Sequence, residues 1–178
     1  TAPSVNSQIE LEREIYRRYG IDAASISYVE THGTGTKLGD PIELEALSTV
    51  FKEHTDRKHF CALGAVKSNI GHVSGAAGVA GVHKVLLSLR HKKLVPNVNL
   101  VKHNTLFDFA NSPFYINDTV QDWAAAPGQK RRAAVSAFGF SGTNAHIVIE
   151  EYVPAARRDT LAKQPYIVPL SARTVAQL

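Results

Sequence analysis

The sequence is poor in cysteine, contains no methionine and has no long apolar run. Its single cysteine among 178 residues, Cys61, cannot form an internal disulfide, which is typical of a reducing compartment. No segment approaches the roughly 20 consecutive apolar residues of a membrane-spanning helix, and the first residues lack the basic and then apolar pattern of a secretion signal. These absences exclude a disulfide-stapled secreted domain and predict a cytoplasmic protein that does not enter a membrane.

Metal-binding patterns are absent as well. The sequence has no His-Glu-x-x-His pair, and one cysteine cannot supply a cluster of thiolate ligands. A metal site is therefore the weaker chemical interpretation of the histidines, and no metal is predicted.

Composition bounds the class of protein. Hydrophobic residues make up 44% of the chain and charged residues 20%, which describes one globular domain or a large piece of one. Because the chain starts at Thr1 and no core strand precedes the first predicted helix, we expect it to begin inside a larger domain.

The net charge of +4 comes from short scattered basic clusters. Solvated surface is the simplest interpretation of these clusters, and attraction of an acidic protein partner is an alternative. No nucleic-acid-binding motif accompanies them, so a nucleic-acid partner is not predicted. The clusters lie at residues 17–18, 91–93, 130–132 and 157–158.

Hydrophobic spacing predicts alternating helices and strands, the pattern of an α/β fold. Gly20 is expected to end the first helix, and residues 94–132 are expected to be rich in loops, with Trp123 as an anchor. A stretch rich in Pro, Ala and Arg after Tyr152 marks the one plausible boundary. The predicted helices lie at about 8–19, from 40 onward and from 75 onward, and the predicted strands at 26–31, 60–66, 133–138 and 145–150.

The second and third predicted helices have unusual beginnings. Asp40 is predicted as the N-cap of the second helix, with Pro41 as its first residue and Glu43 completing a capping box. The third helix opens with small residues over 75–81, three of them glycine. Each glycine weakens an isolated helix by roughly 1 kcal/mol, so we expect this helix to be closely packed on all sides.

Two histidines lie in glycine-bearing turns that each follow a predicted strand. His32 begins the sequence His-Gly-Thr-Gly-Thr at 32–36, and His72 ends Lys-Ser-Asn-Ile-Gly-His at 67–72. Turns of this kind line the edge of an open α/β sheet, where ligand crevices form. His72 is predicted to precede the third helix directly, so the helix dipole should keep its ring neutral. Two neutral rings donating N–H groups to one oxyanion would stabilise an enolate, each donor contributing about 100-fold to 1000-fold in rate.

Three blocks of the sequence, 29–41, 66–72 and 136–146, together resemble a known family. The chain is similar to the C-terminal half of a β-ketoacyl synthase of the thiolase fold, as found in modular polyketide synthases. The resemblance covers residues 1–152, and 153–178 are similar to a linker and the start of the linker domain that follows such synthases. Residues 108–115 with Trp123 resemble synthases that lack an in-line acyltransferase.

The resemblance implies a fold and an activity. The fold would be half of a thiolase-like α/β domain, a mixed sheet of about five strands with helices on both faces, which needs the N-terminal half to complete it. The activity would be decarboxylative Claisen condensation of an acyl-cysteine thioester with malonyl-carrier protein. The nucleophilic cysteine would lie in the N-terminal half, the substrates would be carried on phosphopantetheine of an acyl carrier protein with no tightly bound cofactor, and the complete domain would form a homodimer.

The resemblance also implies roles for the histidine turns. His32 and His72 would hold the malonyl thioester oxygen while carbon dioxide leaves, and Lys67 would tune and orient them. Lys67 could also be an ordinary surface lysine, but its place in the second histidine turn favours the functional role. Many fatty-acid synthases of this family carry a glutamate that bonds to this lysine, at the position that is Gly81 here, so the group that fixes Lys67 is left open.

Five further residues complete the expectations. Thr34 and Thr36 match positions that contact the phosphopantetheine arm, and Phe140 matches a gate whose backbone N–H forms half of an oxyanion hole. Cys61 lies within a predicted strand and His146 enters one, so both are interpreted as structural residues.

Two other functions stay open. A synthase that only passes acyl chains along is one, although the intact His32 argues against it. A non-catalytic interaction module is the other, since no nucleophile is in place.

Overall fold

Helices and strands alternate along the part of the chain that the structure describes, which in this computed structural model is residues 3–139, 141–154 and 170–177. The helices are α1 (Val5–Tyr19), α2 (Gly39–Lys52), α3 (Lys67–Ile70) and α4 (Ala77–His91), with 3-10 turns at Ala23–Ser25, Ser74–Ala76, Phe109–Asn111 and Val175–Gln177. The strands are β1 (Tyr28–Glu30), β2 (Cys61–Gly64), β3 (Lys93–Leu94), β4 (Phe114–Ile116), β5 (Gln121–Asp122), β6 (Arg132–Phe138) and β7 (Asn144–Glu150).

Five of these strands form one mixed sheet in the order β4-β2-β1-β6-β7. The β4–β2, β2–β1 and β1–β6 pairs are parallel, and β6 pairs with β7 as an antiparallel hairpin. Parallel neighbours end at the same edge of a sheet, so β1 and β2 deliver the loops that follow them to one place. The predicted mixed sheet and the predicted β6–β7 hairpin are both confirmed.

Alternate residues of the strands face two separate apolar clusters. One cluster packs β1, β2, β4 and β6 against α1 and α2, and the other packs the opposite face against α4. Helices therefore cover both faces, as predicted. The strand residues in the first cluster are Val29, Cys61, Leu63, Phe114 and Ala134, and those in the second are Tyr28, Ala62, Ala133 and Val135.

Cys61 is the first residue of β2 and has no exposed surface. Burial raises the pKa of its thiol well above the ordinary value, so the reactive thiolate is disfavoured. The interpretation of Cys61 as a small core residue is consistent with this position.

The ends of α1 follow from its flanking residues. Ser4 caps the N-terminus by accepting the N–H of Ser7, which starts the helix three residues before the predicted position. Gly20 ends it in the left-handed region with φ of 60°, as predicted.

The predicted capping box of α2 is wrong. The N-cap is Leu38, without a side-chain hydrogen bond, and Asp40 lies inside the first turn. The carboxylate of Glu43 does not return to the helix end and instead accepts the backbone N–H groups of His32 and Gly33. Two donors from the preceding loop satisfy both carboxylate oxygens, whereas a capping box would satisfy only one.

Helix α4 packs very closely on the sheet along one side only. A Cβ added at Gly78 would lie 3.0 Å from Ala137 Cβ, and one at Gly81 would lie 3.1 Å from Glu30 Cγ. Within this chain the opposite side of the helix is open, so the expected close packing is met on one side only. Val79, Leu86 and Leu87 are 60%, 47% and 55% exposed.

The basic cluster at 130–132 is paired with acidic residues at the end of β7. Lys130 and Arg132 both contact the carboxylate of Glu150, and Arg131 contacts that of Glu151. These charges are therefore balanced locally, in agreement with the interpretation of this cluster as solvated surface.

His146 on β7 is a buried hydrogen-bonding residue. Its Nε2 lies 2.9 Å from the hydroxyl of Tyr16, and its Nδ1 lies 3.0 Å from the hydroxyl of Ser136. The ring is 4% exposed, and burial lowers its pKa to about 4. This position agrees with the structural role that the sequence suggested.

The burial of His146 predicts a loss of stability on acidification. A folded-state pKa of about 4 lies below the ordinary value of 6.5, so the unfolded chain binds a proton that the folded chain excludes as the pH falls from 6.5 to 4. We expect the thermal midpoint of the complete domain to drop less between pH 7.5 and 5.5 in His146→Gln than in the wild type. The exposed His91→Gln is the control, and an unchanged pH slope in His146→Gln would contradict the prediction.

The predicted segment 153–178 lies largely outside the described residues, so its interpretation as a linker stays a prediction. Within the described residues, no helix is both long enough and apolar enough to cross a membrane.

Candidate active site

His32 lies in the loop that follows β1, and its backbone is held by α2. Glu43 Oε1 accepts the N–H of His32 at 2.7 Å, and Oε2 accepts that of Gly33 at 3.0 Å. Gly33 has φ of +46°, and a Cβ there would lie 2.8 Å from Ala65 Cβ, so this turn requires glycine. The glycine of the turn and the buried carboxylate together fix the backbone at His32.

Glu43 is almost fully buried, and its ionisation depends on opposing effects. Burial raises the pKa of Glu43 to about 7, while the N–H donors of Gly33 and His32 favour the carboxylate. Sequence reasoning assigned Glu43 to a cap and missed this contact, because its partners precede α2 in a loop of unknown shape.

His72 lies in an exposed loop between α3 and α4. Its Nδ1 accepts the backbone N–H of Ser74 at 3.0 Å. Ser74 has φ of 48°, an uncommon conformation for a residue with a side chain. Helix α4 begins only at Ala77, after a 3-10 turn, so the prediction that His72 directly precedes this helix is wrong. The Ser74 contact determines which nitrogen of His72 can donate.

The hydrogen-bond network assigns the same tautomer to both rings. His32 Nδ1 accepts the N–H of Phe138 at 3.3 Å, just as His72 Nδ1 accepts that of Ser74. A neutral ring whose Nδ1 accepts must carry its proton on Nε2. The two ring centroids lie 5.7 Å apart, so the structure brings the two rings together.

Burial, the ammonium of Lys67 and the neighbouring His72 together lower the pKa of His32 to about 4. The ring is therefore neutral at physiological pH. A neutral imidazole acts here as a hydrogen-bond donor and not as a cation.

Lys67 is the first residue of the short helix α3, and it points at the His32 loop. Its Nζ donates to the His32 carbonyl oxygen and lies 3.5 Å from His32 Nδ1. Burial lowers the pKa of Lys67, while the carboxylates of Glu43, Glu30 and Asp40 favour its charged form. The structure thus places Lys67 beside His32.

The two threonines of the His32 loop are exposed and face each other. Thr34 Oγ1 lies 3.2 Å from Thr36 Oγ1, which also accepts the N–H of Gly39 at 3.0 Å. The carboxylate of Asp40 accepts the N–H of Gly35 at 3.0 Å and holds the loop between them. Both threonine residues are exposed at the surface.

A cavity of about 310 Å³ opens between this loop and the segment that follows β3. Thr34, Asp40 and Lys67 line it on one side, and Asn97 and Asn99 line it on the other. Neither His32 nor His72 is among the described residues that line it.

Within the same described part of the chain, no group of three or more His, Cys, Asp or Glu residues is arranged to hold a metal ion.

Two family descriptions match the chain in succession. "Beta-ketoacyl synthase, C-terminal domain" matches residues 1–101, and "Ketoacyl-synthetase C-terminal extension" matches residues 104–178. The chain belongs to the β-ketoacyl synthase family. The resemblance noted in the sequence is therefore confirmed.

Relatives of this ketosynthase chain are polyketide synthases. It is 62% identical to polyketide synthase PksL of Bacillus subtilis over 180 residues, which cover 100% of this chain and 4% of that protein. Polyketide synthase PksN of the same organism is 44% identical over 179 residues, which cover 99% of this chain and 3% of the relative. The chain thus spans only a small part of the length of these relatives.

Solved ketosynthases share its fold. The ketosynthase from module 6 of the Bacillus subtilis bacillaene synthase is 66% identical with a TM-score of 0.85, over 86% of this chain and 27% of the other. Ketosynthase twelve of the Bacillus amyloliquefaciens bacillaene synthase is 45% identical with a TM-score of 0.82, over 97% and 29% of the two chains. The fold is thiolase-like, and the chain corresponds to the C-terminal part of a ketosynthase, a transferase.

Phe140, predicted as the gate and oxyanion donor of the ketosynthase, lies outside the described residues. Sequence reasoning missed Phe138 and Ser74, whose backbone N–H groups fix the histidine tautomers. Any residue except proline offers such a donor, so no side-chain pattern could have revealed them.

Proposed function

We propose that the chain forms the decarboxylating half of a ketosynthase that catalyses Claisen condensation in polyketide chain elongation. An acyl group is held as a thioester on a cysteine of the N-terminal half. Malonyl-carrier protein then loses carbon dioxide, and the electron pair of the broken C–C bond forms an enolate of the remaining thioester. The enolate carbon attacks the acyl carbonyl, the C–S bond to cysteine breaks, and the departing thiolate takes up a proton.

One observation carries this proposal: two histidine rings lie side by side, each with its Nδ1 turned to a backbone N–H and its Nε2 left to donate. Their centroids are 5.7 Å apart and each Nδ1 accepts a backbone N–H. The charge of the enolate develops on the thioester oxygen, and fixed donors aimed at developing charge stabilise a transition state more than a ground state. His32 and His72 therefore suit the malonyl thioester oxygen.

Lys67 has a supporting role in the proposal. Its ammonium contacts the His32 carbonyl oxygen and lies close to Nδ1 of the same ring. Burial is the largest cause of the lowered pKa of His32, and the positive charge of Lys67 lowers it further by disfavouring the imidazolium. Lys67 thus keeps His32 neutral and oriented.

The family resemblance supplies the roles of three further residues. Thr34 and Thr36 contact the phosphopantetheine arm of the carrier protein. Their exposed position and the closeness of their hydroxyls support this role. Phe140 gates the nucleophile and donates its backbone N–H to the oxyanion of the acyl thioester. The substrates arrive on phosphopantetheine, and no tightly bound cofactor takes part.

The partners follow from the open apolar side of the chain. Val73, Val79, Leu86 and Leu87 are exposed on α4 and the loop before it. Contiguous exposed apolar side chains mark surfaces that a partner covers. We assign this surface to the rest of a cytoplasmic ketosynthase domain, which includes the N-terminal half with its cysteine and forms a homodimer.

The proposed function is tested by chain extension in a reconstituted domain. The chain, the N-terminal half, an acyl thioester and malonyl-carrier protein are mixed, and the products on the carrier protein are measured by mass spectrometry. We expect an acyl chain extended by two carbons and one released carbon dioxide per turnover. Acylation of the cysteine without extension would replace the proposal with a synthase that only transfers acyl chains.

Co-purification tests the partner separately. We expect the chain expressed alone to aggregate, because the open side of α4 is apolar, and to form a tight complex with the N-terminal half when both are expressed together. A well-folded monomer that ignores the N-terminal half would favour the interaction module. Light scattering and size-exclusion chromatography distinguish these outcomes.

A further inference from the structure

A buried ion pair lies beside the Lys67 helix, on the face of the sheet that α4 covers. Glu30, the last residue of β1, is 1% exposed, and Lys84 of α4 is 9% exposed. Lys84 Nζ lies 3.0 Å from Glu30 Oε2, which also accepts the hydroxyl of Tyr28 at 2.6 Å. Apart from this ionic contact, Lys84 Nζ makes no hydrogen bond to any of the described residues. Burying two charges is costly even when they are paired, so the pair is poorly explained by stability alone.

The other oxygen of the same carboxylate reaches the turn that carries Lys67. Glu30 Oε1 accepts the backbone N–H of Val66 at 2.5 Å. Val66 is the N-cap of α3, with φ of −61° and ψ of −23°, and Lys67 follows it directly. N–H groups at a helix start have no partner within the helix, and a carboxylate is a strong acceptor for them. Glu30 thus fixes the backbone from which the Lys67 side chain extends.

Two glycines leave the space that this arrangement needs. A Cβ at Gly81 would lie 3.1 Å from Glu30 Cγ, and one at Gly64 would lie 2.0 Å from Tyr28 Oη and 2.9 Å from Lys84 Nζ. The Glu30 side chain therefore occupies the space beside Gly81.

We propose that Glu30, with its charge balanced by Lys84, is a positioning residue for Lys67 and, through Lys67, for His32. The path is continuous: Glu30 holds the Val66 N–H, Val66 precedes Lys67, and Lys67 Nζ contacts the His32 carbonyl oxygen. This inference rests on the proposed function and deepens it, because it names what fixes the lysine of the decarboxylation site. A displacement of about 1 Å at such a group can reduce a rate by about 100-fold.

The test compares two side chains at position 30 in a background without the buried ammonium. Lys84→Met is introduced first into the complete ketosynthase domain, because loss of Glu30 alone would leave Lys84 buried without a counter-charge. In this background, Glu30→Gln retains an oxygen that can accept the Val66 N–H, whereas Glu30→Met has similar length and no acceptor.

We expect the glutamine variant to decarboxylate malonyl-carrier protein at close to the rate of Lys84→Met itself. The methionine variant is expected to be about 100-fold slower, while acylation of the cysteine proceeds equally in both. Equal decarboxylation rates in the two variants would overturn the proposal. A parallel loss of acylation in the methionine variant would overturn it as well, because the damage would then be general.

A second readout does not depend on activity. Acetylation of Lys67 by acetic anhydride, followed by mass spectrometry, is expected to be faster in the methionine variant, since Lys67 then leaves its contact with His32. Equal labelling would overturn the proposal even if the rates differed. If the wild-type domain fails to decarboxylate, the proposed function fails, and the labelling comparison alone decides whether Glu30 positions Lys67.

Val66→Pro provides a variant that leaves the ion pair intact. The φ of Val66, −61°, is one that proline adopts, so the substitution removes chiefly the N–H that Glu30 accepts. If Glu30→Met does not fold, Val66→Pro replaces it: slower decarboxylation with unchanged acylation supports the proposal, and an unchanged decarboxylation rate overturns it.

Discussion

Replacement of His72 by alanine is expected to reduce decarboxylative chain extension by about 100-fold to 1000-fold, the cost of one lost oxyanion donor. The ring is exposed in this chain and its Nδ1 is bound only to the Ser74 N–H among the described residues, so the substitution removes a donor without emptying a core. Acylation of the partner cysteine should continue, because that step does not require an enolate. Release of carbon dioxide and acyl-enzyme formation are measured separately in the complete domain.

The matched control is His91→Ala, which removes an exposed histidine from the last turn of α4, outside the candidate site. We expect it to retain both partial reactions. Loss of acylation in His72→Ala, in parallel with loss of extension, would show that the proposed division of labour between the two halves is wrong.

Gly64→Ala is expected to destabilise the complete domain by about 1–3 kcal/mol, the usual cost of overpacking a filled interior. The new Cβ would lie 2.0 Å from Tyr28 Oη and 2.9 Å from Lys84 Nζ. Neither neighbour moves freely, since the Tyr28 hydroxyl donates to the buried Glu30 carboxylate and Lys84 pairs with the same group. The thermal midpoint and the urea midpoint should both decrease.

Two companion variants identify the cause of this effect. Gly75→Ala is the control, because an added Cβ there meets nothing within 4 Å, and its stability should be nearly unchanged. Adding Tyr28→Phe to Gly64→Ala removes the oxygen that the new methyl group meets, so we expect part of the lost stability to return. A double variant no more stable than Gly64→Ala would exclude Tyr28 Oη as the source of the strain.

Local patterns accounted for most of the sheet and helices. The apolar period and Gly20 located α1, and alternating apolar runs located β2, β6 and β7 to within a few residues. The ends of the elements were less certain. Ser4 extends α1 beyond its predicted start, and only three residues of the predicted strand at 26–31 pair as β1.

The sequence was less informative about which segments of the chain meet in the fold. Glu43 fits a capping box by its spacing from Asp40, but in the fold its carboxylate meets the N–H groups of His32 and Gly33. The small residues of α4 suggested close packing all round, yet only the side containing Gly78 and Gly81 faces the sheet. Spacing along one helix carries no information about which other segment lies opposite it.

The sequence by itself determined the family, the order of the elements and the two histidine turns, because these depend on short runs of neighbouring residues. Only the tertiary structure decided which ring nitrogen of each histidine can donate and what holds the residues around them in place. The Phe138 N–H that fixes the His32 tautomer is 106 residues away in the chain, and the Val66 N–H that Glu30 accepts is 36 residues away. Backbone donors of this kind have no residue signature, so the contacts exist only once the parallel strands have brought their loops to one edge of the sheet.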